Sequence, residues 1–324
     1  MTGQSPTPAL TKGWTGPVTL SSQPRSVAFH IGAHKTASTH LQRCLTRVRY
    51  RLAQRGVQVY APVHLREKGR GLRDRLGLPK SSTHPGIVLA PDVRAAEVDA
   101  LWQTTHRLVF TEENFTGTLL NRWGNVRTPL YPLAAERLSA LSDVLAPDGI
   151  EVFLAIRNPT HFLTSAYGQS LMGGARIPLP VFHERNPPNE IDWPALCDRL
   201  LAAPGVRSLT VWRYEDYLPC FGQIVTALLG GRAAAAVKPV AGRVHEGLSA
   251  AAVAHILDHA GLKGPDDSVA EARAAYPVGD TWPRFDGYDA ETHALSQELY
   301  RDQVAAIEAM PGVTRLRPEP PTEP

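Results

Sequence analysis

The sequence is short of several things, and each shortage excludes something. Only three of its 324 residues are cysteine, Cys44, Cys197 and Cys220. They are too few and too widely spaced for a disulfide framework or a zinc site, and Cys44 reads as a buried free thiol. No run approaches the roughly 18 consecutive apolar residues of a membrane span. Residues 1–25, rich in Ser, Thr, Pro and Gly, lack the charged, apolar and small-residue regions of a signal peptide. A reducing cytoplasm is the compartment these features suit. Acidic residues are missing from the first part of the chain. None precedes Glu67, whereas Lys35, Arg43, Arg47, Arg49, Arg51, Arg55 and Arg66 all do.

The formal net charge is only +3, so distribution matters more than total. A locally positive first unit suits a polyanionic small molecule, while Arg47, Arg49 and Arg51 read as a solvated helix face. No stacking aromatics interleave the basic residues and no DNA- or RNA-binding motif is visible, which argues against nucleic acid as a partner. Oligomeric state is not legible.

What is present is globular. Hydrophobic residues make up 43% and charged residues 20% of the chain, the proportions of a folded α/β protein. The chain length allows one large domain or two small ones. Short apolar runs at Val27–Ile31, Gly56–Pro62, Arg107–Phe115, Ile150–Ile156 and Ser208–Trp212 read as strands. Helical patterns lie between them. One follows Ser38 or Thr39, with Leu41, Cys44, Leu45 and Val48 on its apolar side. Another starts at Pro91, with Val93, Val98, Leu101 and Trp102 facing inward. Others begin at Pro132 and at Thr160, and a further one spans Trp193–Leu201. Beyond Phe221 the chain reads as helical, with segments 248–262 and 291–310, the latter burying Leu295, Leu299 and Ile307. Residues 63–86 and 173–190 read as loops, and the 28 prolines favour long ordered ones. No internal repeat is found. Alternation of this kind predicts an α/β fold, an open, mainly parallel sheet flanked by helices, with additional C-terminal helices. The expected organisation is a mobile arm over 1–25, a single domain over 26–310 and a proline-rich tail over 311–324.

The most informative stretch is 27–41, where an apolar strand stops at Gly32 and a helix starts by Thr39. A strand–turn–helix junction directs free backbone N–H groups at one spot, where the helix N-terminus adds partial positive charge and Lys35 a full one. That spot favours a phosphate or a sulfate. It is not a nucleoside-triphosphatase loop, because Lys35 follows Gly32 by only three positions and His34, not glycine, precedes it.

The order Gly32-x-x-Lys35-Thr36-x-Ser38-Thr39 resembles the 5′-phosphosulfate loop of sulfotransferases, which use 3′-phosphoadenosine 5′-phosphosulfate (PAPS). The family usually has glycine where this chain has Ala37, and alanine predicts an ordinary φ there and less room for backbone approach. The segment Ile156–Tyr167 is similar to the second signature of that family. The match places its 3′-phosphate clamp on Arg157 and Ser165, roles that suit a charged planar fork and a neutral donor. Thr111-Glu-Glu-Asn-Phe115 resembles the element that carries the general base in carbohydrate-type sulfotransferases, and the resemblance gives that role to Glu113, with Glu112 on the opposite side of the strand. His34 is a competing base. Tyr214-Glu-Asp216 resembles the ending of a later family strand and reads as structural. A basic loop near Arg243–Leu248 suggests Arg243 as a third donor contact.

The resemblance covers about residues 26–250 and implies a P-loop-like sulfotransferase architecture. It implies PAPS as co-substrate, no metal, and a small-molecule or glycan acceptor. Donor contacts would come from His34, Lys35, Thr36, Ala37, Ser38, Thr39, Arg157, Ser165 and Arg243, and catalysis from Lys35 and Glu113. A nucleotide-dependent kinase of P-loop-like fold and a catalytically idle PAPS-binding protein are the alternatives.

Overall fold

Strands form where the apolar runs fall, and they assemble into one sheet. The computed structural model describes residues 24–68, 70–78, 87–146, 148–242, 247–259 and 265–319. The strands are β1 (Ser26–His30), β2 (Val57–Tyr60), β3 (Arg107–Thr111), β4 (Ile150–Ile156), β5 (Val206–Arg213) and β6 (Val313–Arg315). Their order across the sheet is β2-β3-β1-β4-β5-β6, and every pairing is parallel. The expected α/β architecture, a parallel sheet flanked by helices, is the one observed.

Parallel sheets bury both faces, and the strand residues divide accordingly with period two. Phe29, Ile31, Leu108, Phe110, Val152, Leu154 and Ile156 enter one core; Ala28, Val109, Phe153, Ala155 and Trp212 enter the other. Between β1 and β3 lie α1 (Ser38–Arg47), α2 (Arg49–Ala53), α3 (Pro62–Leu65), α4 (Leu72–Arg75) and α5 (Pro91–Trp102). Next come α6 (Ala134–Leu145), α7 (Pro159–Met172), α8 (Leu179–Arg185) and α9 (Trp193–Leu201). The chain continues with α10 (Phe221–Leu229), α11 (Gly231–Ala234), α12 (Ala250–Asp258), α13 (Pro265–Ala275) and α14 (Ala290–Glu308). Among the described residues no helix is long and apolar enough to cross a membrane. All three cysteines are buried free thiols.

Five expectations are corrected. The stretch 173–190 is not wholly loop, because α8 lies within it, started by the fixed φ of Pro178 and Pro180. Likewise α3 and α4 interrupt 63–86. Val93 is 48% exposed, since α5 meets the core mainly through Leu101 and Trp102 in its last turn. Leu295 is 62% exposed, because α14 buries Ser296, Tyr300, Gln303, Val304 and Ile307 instead. Residues 313–315, expected in the tail, form the edge strand β6 against β5.

At the amino ends of the strands, Arg107 is 9% exposed. It pairs with Glu151 at 2.6 Å, linking β3 to β4 across β1, and donates to the carbonyls of Ala227 and Leu228 on α10. The opposite end of the sheet carries the site.

Candidate functional site

The three features singled out in the sequence leave adjacent strands. Lys35 follows β1, Glu113 follows β3 and Arg157 follows β4, and these three strands stand side by side as β3-β1-β4. His30, the last residue of β1, is in register with Thr111 and with Phe153. Carboxyl ends of parallel strands, where the strand order switches sides, are where open α/β sheets hold ligands.

The turn after β1 is tightly wound. Gly32, Lys35 and Ala37 all have positive φ, at 38°, 68° and 65°. At Gly32 a Cβ would collide with Ser38 Oγ, so glycine is required both for φ and for space. Ala37 is the N-cap of α1 in a left-handed conformation. Alanine does not take an ordinary φ here; closing the turn onto the helix overrides its preference, which opposes the conformation by about 1–2 kcal/mol. The Thr36 hydroxyl donates to the Ala33 carbonyl. His40 N–H donates to Ala37 O at 2.9 Å. Among the described residues no backbone carbonyl accepts from the N–H groups of Lys35 to Thr39. No side chain caps α1 and no acid stands in its first turn. Ser38 Oγ is buried without a hydrogen-bond partner. A helix start with uncapped amides and an orphan hydroxyl beside a lysine is built to take anionic oxygens.

Lys35 itself is partly buried. Burial lowers its pKa from the usual lysine range, the Arg157 charge lowers it further, and Glu113 opposes both.

His34 is held on three sides. Its backbone N–H donates to Tyr131 Oη at 3.0 Å, Nδ1 lies 3.0 Å from the same hydroxyl, and Nε2 lies 3.2 Å from Asn114 Oδ1. The hydroxyl, which receives the amide proton, donates its own to Nδ1; Nε2–H then donates to the asparagine oxygen, an acceptor. This network assigns the neutral Nε2–H tautomer. Burial lowers the pKa of His34, with Glu113 and the Asn114 hydrogen bond pulling the other way. Both ring nitrogens are engaged, which disfavours His34 as the base.

The paired glutamates have separate surroundings. Glu112 is fully buried and ion-paired to Arg66, whose Nε donates to Oε2 at 2.6 Å. Arg73 Nη2 lies 3.6 Å from Glu112, and Asn114 N–H donates to Oε1 at 3.0 Å. Glu112 thus caps the short 3₁₀ turn Glu113–Phe115. Glu113 is half-buried and accepts from Gln42 Nε2 at 3.0 Å. Its charge is felt by His34, Lys35 and Arg66.

No family model and no curated protein matches the chain. Among solved structures, a sulfotransferase from Alicyclobacillus acidocaldarius is similar at 16% identity and a TM-score of 0.36, over 80% of this chain and 99% of that one. A likeness of that size decides neither fold nor activity, so the reading rests on the geometry.

Arg157 donates from Nη1 to the Lys35 carbonyl at 2.8 Å, and its guanidinium lies 4.3 Å over the Tyr214 ring. Its Nε is buried without a partner. Asn158 caps α7, accepting from the Thr160 and His161 amides at 3.1 and 3.5 Å. Glu215 accepts from Asn158 N–H at 3.0 Å and from Tyr300 Oη at 3.1 Å, and Asp216 holds Arg213 with both oxygens. Tyr214-Glu-Asp216 therefore braces the turn that carries Arg157. Ser165 is half-buried on α7 and makes no hydrogen bond to Arg157. Arg243 lies outside the described residues. Among the described residues no group of three His, Cys, Asp or Glu could hold a metal ion.

Sequence reasoning brought Lys35, Glu113 and Arg157 to the same end of the sheet, where the structure places them. It missed Gln42, Tyr131 and the pairing of Arg66 with Glu112. Gln42 offered a signal: it is a polar residue between Leu41 and Cys44, one turn after Ser38. Tyr131 offered none, because its partner is 97 positions away.

Proposed function

We propose that this protein is a PAPS-dependent sulfotransferase that moves a sulfuryl group to an acceptor hydroxyl, with sugar and alkyl hydroxyls favoured and an amine also chemically able to accept. The observation that carries the reading is the turn 32–39, where unpaired amides, the orphan Ser38 hydroxyl and Lys35 converge beside Glu113. The amides of Lys35 to Thr39 with the Ser38 and Thr39 hydroxyls would hold the 5′-phosphate. Arg157, with an unused Nε, and Ser165 would hold the 3′-phosphate. Glu113 takes the acceptor proton as the acceptor oxygen bonds to sulfur. The bond from sulfur to the bridging oxygen breaks, and its electron pair stays on the 5′-phosphate. Lys35 neutralises the charge developing there, and its lowered pKa makes it a readier proton donor. The products are the sulfated acceptor and adenosine 3′,5′-bisphosphate.

Calorimetric titration with adenosine 3′,5′-bisphosphate, without magnesium, tests the donor site in the wild type, Lys35→Ala and Arg157→Ala. The reading expects wild-type binding that weakens by about 10- to 100-fold in each variant, the size of one charge-assisted hydrogen bond. No binding, or equal binding by all three, would sink it, and ATP with magnesium would be titrated next.

A further inference from the structure

Glu113 has one hydrogen-bonding side chain among the described residues, and it is a neutral one. Gln42 lies on α1, four positions after Ser38, with 8% of its surface exposed. Its Nε2 lies 3.0 Å from Glu113 Oε2 and 3.5 Å from the Thr111 carbonyl. Both neighbours are acceptors, so the amide nitrogen, not the oxygen, must face them. The first contact is a charge-assisted bond of good length; the second is at the limit of one. Among the described residues no side chain donates to Oε1 of Glu113.

We propose that Gln42 is the positioning residue of the Glu113 carboxylate: it fixes Oε2 and leaves Oε1 as the oxygen that receives the acceptor proton. The charged groups within influence of Glu113 are Lys35 from the turn after β1 and Arg66 from the segment after α3, with His34 and Tyr131 also in range. An unrestrained carboxylate in that company swings toward a cation, and an ion-paired carboxylate is a poorer base. The amide satisfies one oxygen without adding charge. It also makes α1 serve both halves of the reaction, since the helix whose first turn faces the donor holds the base from its second turn. The role of Glu113 as base rests on the sulfotransferase reading; the restraint of its carboxylate does not.

The test uses the full chain labelled with ¹⁵N in glutamine side chains and ¹³C in glutamate side chains. Loss of a signal in Gln42→Leu identifies the Gln42 amide, and loss in Glu113→Ala identifies the Glu113 carboxyl. The expected result is a reciprocal shift: the Gln42 amide moves in Glu113→Ala, and the Glu113 carboxyl moves in Gln42→Leu. A Gln42 amide that ignores Glu113→Ala overturns the proposal. A Glu113 carboxyl unmoved in Gln42→Leu overturns it too, because a packing role alone would leave that signal in place. Gln42→Met, closer in shape, serves where Gln42→Leu does not fold. Titration of Gln42→Leu with adenosine 3′,5′-bisphosphate reads the donor site separately. Failure of the wild type to bind there sinks the sulfotransferase reading and leaves the Gln42–Glu113 result standing.

Discussion

The guanidinium of Arg157 donates from Nη1 to the carbonyl oxygen of Lys35 at 2.8 Å. This bond ties the end of β4 to a residue with φ of 68°, so one arginine holds the unusual peptide that aims Lys35. Burial of the Arg157 side chain opposes its charge, and the Tyr214 and Glu215 side chains favour it. The residue is a brace with a buried, unpartnered Nε, which the proposed function assigns to the donor's 3′-phosphate. Substitutions in this neighbourhood therefore separate binding from stability.

Ser38→Ala is the first such case. The hydroxyl is buried and unpartnered, a state that opposes folding by about 1–3 kcal/mol. Removing it leaves stability unchanged or raised, while affinity for adenosine 3′,5′-bisphosphate falls by roughly threefold to tenfold. Urea midpoints and calorimetry on the same preparation check both halves. A clear loss of stability would mean that Ser38 Oγ has a partner in the unliganded fold.

Ala37→Gly relieves the left-handed N-cap. The αL penalty of about 1–2 kcal/mol disappears, and glycine's greater freedom in the unfolded chain returns about 0.5–1 of it. The net expectation is a stabilisation of about 0.5–1 kcal/mol, read as a higher urea midpoint at unchanged slope. A lower midpoint would contradict the positive φ.

The adjacent glutamates should respond differently to the same change. Glu112→Ala removes the buried partner of Arg66. Breaking such a pair costs about 3–5 kcal/mol where both charges are buried. Because Arg66 is 45% exposed, about 2–3 is expected here. Glu113→Ala, at a half-buried position, should change stability by under about 1 kcal/mol. Chemical denaturation of the two variants distinguishes them, and equal losses would refute the division of labour.

His30 makes stability depend on pH. Burial brings its pKa down to about 4, against about 6.5 in an unfolded chain. Between those values the unfolded chain takes up a proton that the fold refuses. The contribution is therefore fully present above pH 6.5 and is withdrawn as pH falls toward 4, by on the order of 3 kcal/mol in all. His30→Gln, which can keep a hydrogen bond to Thr111 Oγ1, should lose less stability than wild type between pH 7 and pH 4. Parallel losses in urea titrations across that range would rule the account out.

Elements built on apolar periodicity were legible in the sequence: β1 to β5, α1, α7 and α9 sit where alternation and helical spacing put them. The misreadings arise where polar side chains are buried. On α14 the buried stripe contains Ser296, Tyr300 and Gln303, which donate to Asn158, Glu215 and the Ile191 carbonyl. Hydrophobic spacing pointed to Leu295 because it cannot anticipate those partners. The edge strand β6 is too short, at three residues, to show alternation. At the site, residue types at strand ends revealed Lys35, Glu113 and Arg157. The groups that orient them come from distant segments and emerge only when the chain is folded.

The edge position of β6 has a consequence for the order in which the protein is made. The outer edge of β5 stays uncovered until residues 313–315 have left the ribosome, and open parallel edges are the segments prone to wrong pairing. The same late-arriving part of the chain supplies Ser296 and Tyr300 to the turn after Arg157. The turn 32–39 thus leaves the ribosome long before the residues that brace the turn after Arg157.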